Sequence, residues 1–207
     1  MKSFISEDDI EQTLCTRLSQ PEFGWKRIEC DPSVEAQDDV SKTGRRNSSE
    51  CILPAVFLTA LERLNPQIDK SILAQVVADF RKDYTGKDMM DTNYKFYNYL
   101  RNGINVKVKK NGKDDFDIVR LIDFDNVENN DFHCVNQMWI KGRIRYRRPD
   151  VLLFVNGLQM VFIELKNSTV KIKEAYEKNL VSYREDMPNI FALNQICVLS
   201  NGMQTKL

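Results

Sequence analysis

Apolar residues recur at helical spacing in some parts of the chain and at strand-like spacing in others. Near the amino terminus Ile10, Leu14 and Leu18 form an apolar stripe behind the capping residue Ser6, which predicts a helix that ends before Pro21. The same criteria predict helices at 55–64, 70–83, 94–100 and 171–186, and strands at 25–30, 106–109, 117–124 and 195–200.

Two apolar runs, 151–155 and 158–163, flank Asn156-Gly157, which is the dipeptide most typical of a β-hairpin turn. Both runs are apolar on both faces, and this favours central strands covered by helices on each side. Because a predicted helix and strand follow the hairpin, we expect an α/β fold with a mixed central sheet flanked by helices. The length fits a single domain over 1–207, with a mobile, polar loop at 31–50.

Charged residues stand at the ends of this hairpin. Glu164 and Lys166 follow the second run and, by the two-residue period of a strand, point to one face. Asp150 precedes the first run, and a strict two-residue turn would put it on the other face. We therefore predict a three-residue turn at 155–157 with Gly157 in the left-handed region, although a compensating bulge lower in the strand would have the same effect.

Two carboxylates on a rigid edge can hold a hard cation such as Mg²⁺, for which Mn²⁺ can substitute, while phosphate and water complete its shell. Asp150 and Glu164 are therefore candidate metal ligands. Lys166 is a candidate catalytic residue, since a nearby ammonium could orient water or stabilise charge on a phosphate. Glu11 becomes a further candidate if the first helix packs beside the hairpin.

Five basic side chains and no acidic one lie between Trp139 and Pro149. Four of them alternate, so on one strand they would point to the same side and lead to Asp150, where a phosphate backbone would lie. The candidate DNA-binding residues are Lys141, Arg143, Arg145, Arg147 and Arg148. A solvated strand face would explain the same pattern without DNA.

The chain contains 30 acidic and 30 basic side chains, so any attraction to nucleic acid must be local. Its five cysteines form no CxxC pair, and the sequence contains no long apolar segment. These features indicate a reduced, cytoplasmic protein without a membrane span. The single histidine excludes the usual histidine-based metal sites.

Several sequence blocks follow one another in a characteristic order: Asn130-Asp131-Phe132, Val135-Asn136-Gln137, Arg147-Arg148-Pro149-Asp150, Phe154-Val155-Asn156-Gly157, Ile163-Glu164-Leu165-Lys166-Asn167 and Ser200-Asn201-Gly202. Taken together, these blocks resemble the amino-terminal nuclease domain of type I restriction enzyme R (HsdR) subunits, which belongs to the PD-(D/E)xK nucleases. Leu64-Asn65-Pro66 and Leu121-Ile122-Asp123-Phe124 match as well, so the resemblance spans most of the chain.

The resemblance implies a restriction-endonuclease-like PD-(D/E)xK fold and Mg²⁺-dependent hydrolysis of double-stranded DNA. It implies Asp150 and Glu164 as metal ligands and Lys166 as the catalytic lysine, and the Leu165 backbone carbonyl could add a ligand. Family members carry a Gln-x-x-x-Tyr element on the following helix. At the corresponding positions this chain has Asn179 and Tyr183, so the amide is one methylene shorter.

R subunits continue into ATP-driven DNA-translocating domains, whereas this sequence contains no GxxxxGK[ST] phosphate loop. We therefore expect a fragment of a larger subunit, in which only the complete protein binds ATP. The resemblance implies modification and specificity subunits as partners, and cleavage after translocation. Two alternatives remain. One is a stand-alone repair or recombination nuclease of the same superfamily. The other is a non-catalytic module that docks DNA or a subunit and whose carboxylates only pair with Arg147 and Arg148.

Overall fold

The computed structural model describes residues 5–82, 86–110, 112–143, 145–174, 176 and 180–207. The helices are α1 (Glu7–Leu18), α2 (Pro54–Leu64), α3 (Lys70–Phe80), α4 (Met89–Asn102), α5 (Ile172–Glu174), α6 (Val181–Asp186) and α7 (Pro188–Leu193). The strands are β1 (Lys26–Glu29), β2 (Ile104–Lys110), β3 (Lys113–Val119), β4 (Phe132–Asn136), β5 (Ile140–Lys141), β6 (Tyr146–Arg147), β7 (Val151–Val155), β8 (Leu158–Leu165), β9 (Ile196–Ser200) and β10 (Thr205–Lys206).

Six of these strands form one mixed sheet in the order β1-β4-β7-β8-β9-β10. The pairs β1–β4 and β8–β9 are parallel, and the other three pairs are antiparallel. The predicted hairpin, β7–β8, lies at the centre of this sheet. The prediction of a mixed central sheet is therefore confirmed.

Helices cover both faces of the sheet. On one face α1 packs Cys15 and its apolar stripe against Val151, Ile163 and Leu165. On the other face the chain from Leu180 through α6 and α7 packs against a second set of strand residues, which are Val135, Leu152, Phe154, Phe162 and Leu199. Successive residues of β7 and β8 thus enter different cores, and this explains why both runs are apolar throughout.

A further core lies beside the sheet, where α2, α3 and α4 pack with the β2–β3 hairpin. The strand predicted at 117–124 ends earlier, at Val119. The Asp123 carboxylate accepts hydrogen bonds from the backbone N–H groups of Asp125 and Asn126, and these bonds favour a turn over an extended strand.

The hairpin turn differs from the three-residue turn that we predicted. Val155 pairs directly with Leu158, and Asn156 and Gly157 both have positive φ angles, 51° and 79°, as in a type I′ turn. The fully buried Asn156 side chain donates to the Leu121 carbonyl (2.9 Å) and accepts from the Asp131 N–H (2.8 Å). These contacts hold the two-residue turn against the neighbouring loops.

A bulge in β8 restores the register that the site needs. Phe154 pairs with Gln159, whereas Leu153 pairs with Val161, so Met160 is an extra residue in β8. The Met160 carbonyl accepts a hydrogen bond from the Gln195 N–H (2.8 Å), so the bulged residue keeps a backbone partner. The compensating bulge considered as an alternative is therefore the arrangement that the chain adopts.

Two other expectations need correction. Of the helix predicted at 171–186, the described residues are helical at α5, at 176 and from Leu180 through α6, and residues 175 and 177–179 lie outside the described part of the chain. Tyr176 of its predicted apolar stripe is 50% exposed. The segment 31–50 is a loop with one short 3-10 helix, but it is packed onto the domain. Its Arg45 side chain is buried and donates to the backbone carbonyls of Glu50 (3.0 Å) and Trp139 (3.1 Å). The helix predicted at 70–83 ends at Phe80, and residue 83 lies outside the described residues.

No helix within the described part of the chain is long and apolar enough to cross a membrane.

The turn glycine gives a stability test. A Cβ at Gly157 would lie 2.6 Å from the Leu53 carbonyl oxygen and 2.7 Å from the Phe57 nitrogen, both of them backbone atoms. We expect Gly157→Ala to lower the free energy of unfolding by about 2 kcal/mol or more, from the positive φ and the clash together. Urea unfolding followed by circular dichroism measures the loss.

Gly112→Ala is the matched control, because Gly112 has a similar φ of 76° but no atom within 4 Å of its would-be Cβ. It should lose only the conformational part, about 1 kcal/mol. Equal losses in the two variants would contradict the packing of the turn against α2.

Candidate active site

The bulge at Met160 brings the two predicted carboxylates together. Since Val151 pairs with Ile163, the preceding Asp150 lies opposite Glu164 and on the same face of the sheet. The Asp150 carboxylate accepts a hydrogen bond from the backbone N–H of Leu165 (2.6 Å). The two acids are therefore held by the backbone of adjacent central strands.

Lys166 lies at the centre of a group of oxygen atoms. Its ammonium donates to Glu164 Oε1 (2.8 Å), to the Leu165 carbonyl (2.6 Å) and to Glu7 Oε1 (3.2 Å). Glu164 is almost completely buried and Lys166 mostly buried, so their attraction is screened less than that of a surface pair. The lysine thus occupies the position of a cation beside two of the predicted metal-binding oxygens.

Burial and the neighbouring Glu164 charge raise the pKa of Asp150 to about 8, against the opposing effects of the Leu165 N–H and of Lys166. At neutral pH Asp150 in the metal-free protein therefore holds a proton most of the time. If Asp150 were ionised, the two carboxylates and the single Lys166 ammonium would leave a net negative charge in a partly desolvated site. A bound divalent cation would remove this repulsion.

The Glu164 and Asp150 charges also shift the pKa values of Lys166 and Tyr183. Burial acts to lower the pKa of Lys166, but the Glu164 and Asp150 carboxylates outweigh it and raise the pKa, so the lysine is charged. Tyr183 of α6 is buried, and its ring contacts the Phe162 ring edge-to-face at 5.4 Å between centroids. Burial, the two carboxylate charges and a hydrogen bond to Glu164 raise the pKa of Tyr183, so it stays protonated as a donor. Asn179, the other predicted residue of this element, lies outside the described residues.

Helix α1 supplies two acids to the site. Glu7 contacts Lys166, as described, and Glu11 lies one helical turn further along on the same face. The Glu11 carboxylate is 3% exposed and accepts hydrogen bonds from Asn136 Nδ2 (2.8 Å) and Gln137 Nε2. Burial raises the pKa of Glu11, partly offset by these two amide donors. The structure therefore puts Glu11 next to the site, but facing amides.

Gln137 is a site residue for which the sequence predicted no role. Its backbone N–H donates to the Asp150 carbonyl (3.0 Å), and its φ of 59° is unusual for a residue other than glycine. The feature of the sequence that could have indicated this residue is the Asn136-Gln137 amide pair at the end of an apolar strand. Its meaning depends on the pairing of β4 with β7, which the sequence does not reveal.

The donor set fits a hard divalent cation. Asp150 and Glu164 offer carboxylate oxygens on one face, and the Leu165 carbonyl accepts a hydrogen bond from Lys166, as Glu164 does. In the part of the chain that the structure describes, no group of three acidic, histidine or cysteine side chains could hold a metal ion. Mg²⁺ differs from Zn²⁺ in this respect, since one or two carboxylates suffice while water and phosphate fill its remaining positions.

The predicted row of basic residues does not lie on one strand. β5 and β6 form a two-stranded ribbon in which Ile140 pairs with Arg147 and Lys141 with Tyr146, so Lys141 and Arg147 point to opposite faces. The run turns between the strands, where the Gly142 N–H donates to the Arg145 carbonyl (3.0 Å). The alternation in sequence was therefore misread as one continuous strand.

Internal contacts hold several of these basic side chains. Asp186 of α6 accepts from Arg147 Nε (2.7 Å) and pairs with Arg145 at 3.2 Å, and the Arg147 guanidinium lies 5.4 Å from the centre of the Tyr183 ring. Arg148 lies over the Trp139 ring. Lys141, Arg143 and Arg145 are exposed, whereas Arg147 and Arg148 are half-buried.

Comparison with known proteins identifies the family of the chain. Residues 4–207 match the family model described as type I restriction enzyme R protein N terminus. The chain is 33% identical, over 98% of its length, to the type I restriction enzyme HindI endonuclease subunit of Haemophilus influenzae. It is 31% identical, over 78% of its length, to the provisionally named type I restriction enzyme MjaIXP endonuclease subunit of Methanocaldococcus jannaschii.

The match covers 19% and 16% of these two relatives, so the chain spans less than a fifth of their length. The family model covers nearly the whole chain and the first of these relatives exceeds 30% identity. The chain therefore belongs to the family of type I restriction enzyme R protein amino-terminal domains.

Proposed function

We propose that this chain is the Mg²⁺-dependent nuclease domain of a type I restriction enzyme R subunit and that it hydrolyses phosphodiester bonds of double-stranded DNA. The observation that supports this proposal best is the register of the β7–β8 hairpin. The bulge at Met160 sets Asp150 opposite Glu164, and Lys166 donates to Glu164 on the same strand. This is the arrangement expected of a PD-(D/E)xK nuclease.

Bound Mg²⁺ would polarise the scissile phosphate and lower the pKa of a coordinated water. Asp150 and Glu164 would hold it, and the Leu165 carbonyl would be a further ligand. Lys166 would release its contacts to these oxygens and stay beside them, where its ammonium can orient the attacking water and stabilise charge that develops on the phosphate. Tyr183, protonated and next to Glu164, would fix the carboxylate orientation.

The exposed basic side chains Lys141, Arg143 and Arg145 are the proposed contacts to the DNA backbone. Charge-only contacts of this kind position a duplex without reading its sequence. The half-buried Arg147 and Arg148 would stabilise this surface through their internal contacts. The name of the relatives as restriction enzyme endonuclease subunits supports a multi-subunit assembly, in which modification and specificity subunits would be the partners.

In that assembly the remaining four-fifths of the R subunit would bind ATP and translocate DNA before cleavage. The non-catalytic alternative predicted that the carboxylates would serve only to pair with Arg147 and Arg148. Instead Arg147 pairs with Asp186, and Arg148 donates to the Pro32 carbonyl. Glu164 pairs with Lys166, and Asp150 accepts from the Leu165 N–H, so the contacts of the two acids differ from those that this alternative expects.

The metal site can be tested by Mn²⁺ calorimetry with a short duplex DNA present. We expect saturable binding to this chain and none to Asp150→Ala, because the variant removes one of two carboxylate ligands. Asp114→Asn is the matched control, since Asp114 is an exposed acid on β3, away from the hairpin, and it should bind as the unaltered chain does. Mn²⁺ binding that persists in Asp150→Ala would show that Asp150 is not a ligand and would contradict a metal site at this edge of the sheet.

Cleavage can be tested in the complete enzyme. Asp150→Ala, Glu164→Ala and Lys166→Ala should each reduce DNA cutting by more than about a hundredfold, since removal of mere outer-shell partners already costs ten- to a hundredfold. ATP-driven translocation, measured by displacement of a triplex-forming strand, should stay unchanged. Cutting preserved in any of the three variants would contradict the assignment of that residue.

The pH dependence of metal binding follows from the raised pKa of Asp150, about 8 in the metal-free protein. Because the proton must leave before the carboxylate can bind a cation, Mn²⁺ affinity should rise by up to about tenfold per pH unit below that value and level off above it. Calorimetry between about pH 6 and pH 8.5 measures the slope. An affinity independent of pH over this range would show that Asp150 is already ionised or is not a ligand.

A further inference from the structure

We propose that Gln137 is a positioning residue that holds Asp150 in its metal-binding position, and that Glu11 secures Gln137 for this purpose. The inference rests on the proposed function and adds to it two residues outside the hairpin that supplies the ligands, Gln137 directly after β4 and Glu11 on α1.

Gln137 contacts Asp150 through its backbone and Glu11 through its side chain. Its N–H donates to the Asp150 carbonyl at 3.0 Å, and its Nε2 donates to Glu11 Oε2. The second oxygen of Glu11 accepts from Asn136 Nδ2 at 2.8 Å. Both Glu11 oxygens are thus used by neighbouring amides of one dipeptide, at a position where the carboxylate is 3% exposed.

The backbone of Gln137 needs this side-chain contact. β4 ends at Asn136, and Gln137 has a φ of 59°, a left-handed conformation that is strained for a residue with a Cβ. A hydrogen bond to a buried carboxylate is among the stronger ones in proteins and can offset that strain. Without it the chain after β4 would relax to an ordinary conformation, and the Gln137 N–H would turn away from Asp150.

Asp150 in turn needs to be held on both sides. Its carboxylate is held from β8 by the Leu165 N–H, and its carbonyl is held from the β4 side by Gln137. Both contacts come from backbone N–H groups of neighbouring chain segments, so loss of the Gln137 contact would leave Asp150 held from the β8 side alone. The Gln137 contact therefore keeps the backbone of Asp150 in register with Glu164.

The two acids of α1 then have parallel roles. Glu7 and Glu11 lie four residues apart on one helix face, and they contact Lys166 and Gln137 respectively. One face of α1 therefore contacts both the catalytic residue Lys166 and Gln137, the residue that holds the metal-binding Asp150.

The test exchanges donor and acceptor between the two side chains. Gln137→Glu puts a second carboxylate against Glu11 and should weaken Mn²⁺ binding by at least about tenfold, as expected for loss of an outer-shell contact. In the double variant Glu11→Gln/Gln137→Glu, the new amide at 11 can accept from Asn136 and donate to the carboxylate at 137. Its Mn²⁺ affinity should return to within about threefold of the unaltered chain.

If Gln137→Glu does not fold, Gln137→Ala tests the same side-chain contact. It removes the side-chain contact without adding charge, and it should also lose about tenfold in Mn²⁺ affinity. Thermal unfolding of each variant separates this loss from general instability, because affinity is compared only between folded samples. An affinity of Gln137→Ala within about twofold of the unaltered chain, or a double variant no better than Gln137→Glu, would overturn the inference.

The same measurements separate this inference from the proposed function. If the unaltered chain binds Mn²⁺ and Asp150→Ala does not, the metal site stands, and the Gln137 variants then decide the positioning role alone. If the unaltered chain with DNA binds no Mn²⁺, the proposed metal site fails, and the positioning role fails with it.

Discussion

Paired residues of antiparallel strands share a face, so one extra residue in one strand moves every residue beyond it to the other face of the sheet. In this protein the type I′ turn at Asn156-Gly157 alone would separate Asp150 from Glu164. The extra residue Met160 in β8 reverses that separation. Both features are held by contacts outside the hairpin, since Leu53 donates to the Gly157 carbonyl and Gln195 to that of Met160. The candidate site thus depends on neighbours that hold the register.

This register brings the Asp150 and Glu164 carboxylates close together, and the repulsion between them accounts for the other contacts of the site. Two carboxylates face each other in a partly desolvated position, and the repulsion appears as the raised pKa of Asp150. Lys166 compensates part of this charge and contacts Glu164 and the Leu165 carbonyl in the metal-free state. Under the proposed function, a bound divalent cation would let both acids ionise, so metal affinity and proton release would be coupled.

Helices on opposite faces of the sheet hold the site from two sides. α1 contributes Glu7 and Glu11, whose contacts reach Lys166 and Gln137. From the other face α6 contributes Tyr183, which contacts Glu164, and Asp186, which holds Arg147. The membership of the chain in the type I restriction enzyme R family was reached independently of these contacts. Rigid elements rather than loops carry the charged groups, and this suits a reaction that depends on geometry.

The central hairpin, the helices on each side of it and the shared face of Glu164 and Lys166 could be predicted from the amino-acid sequence, because they follow from local periodicity and turn preference. The sequence also indicated Asp150 as the partner acid. How Asp150 reaches that face could not be predicted, because the bulge depends on contacts with segments distant along the chain. The same holds for the basic run, which bends into a ribbon that contacts Asp186, and for Gln137, whose N–H reaches the Asp150 carbonyl because β4 pairs with β7. Periodicity is a property of neighbouring residues, whereas register and pairing are set by contacts across the fold.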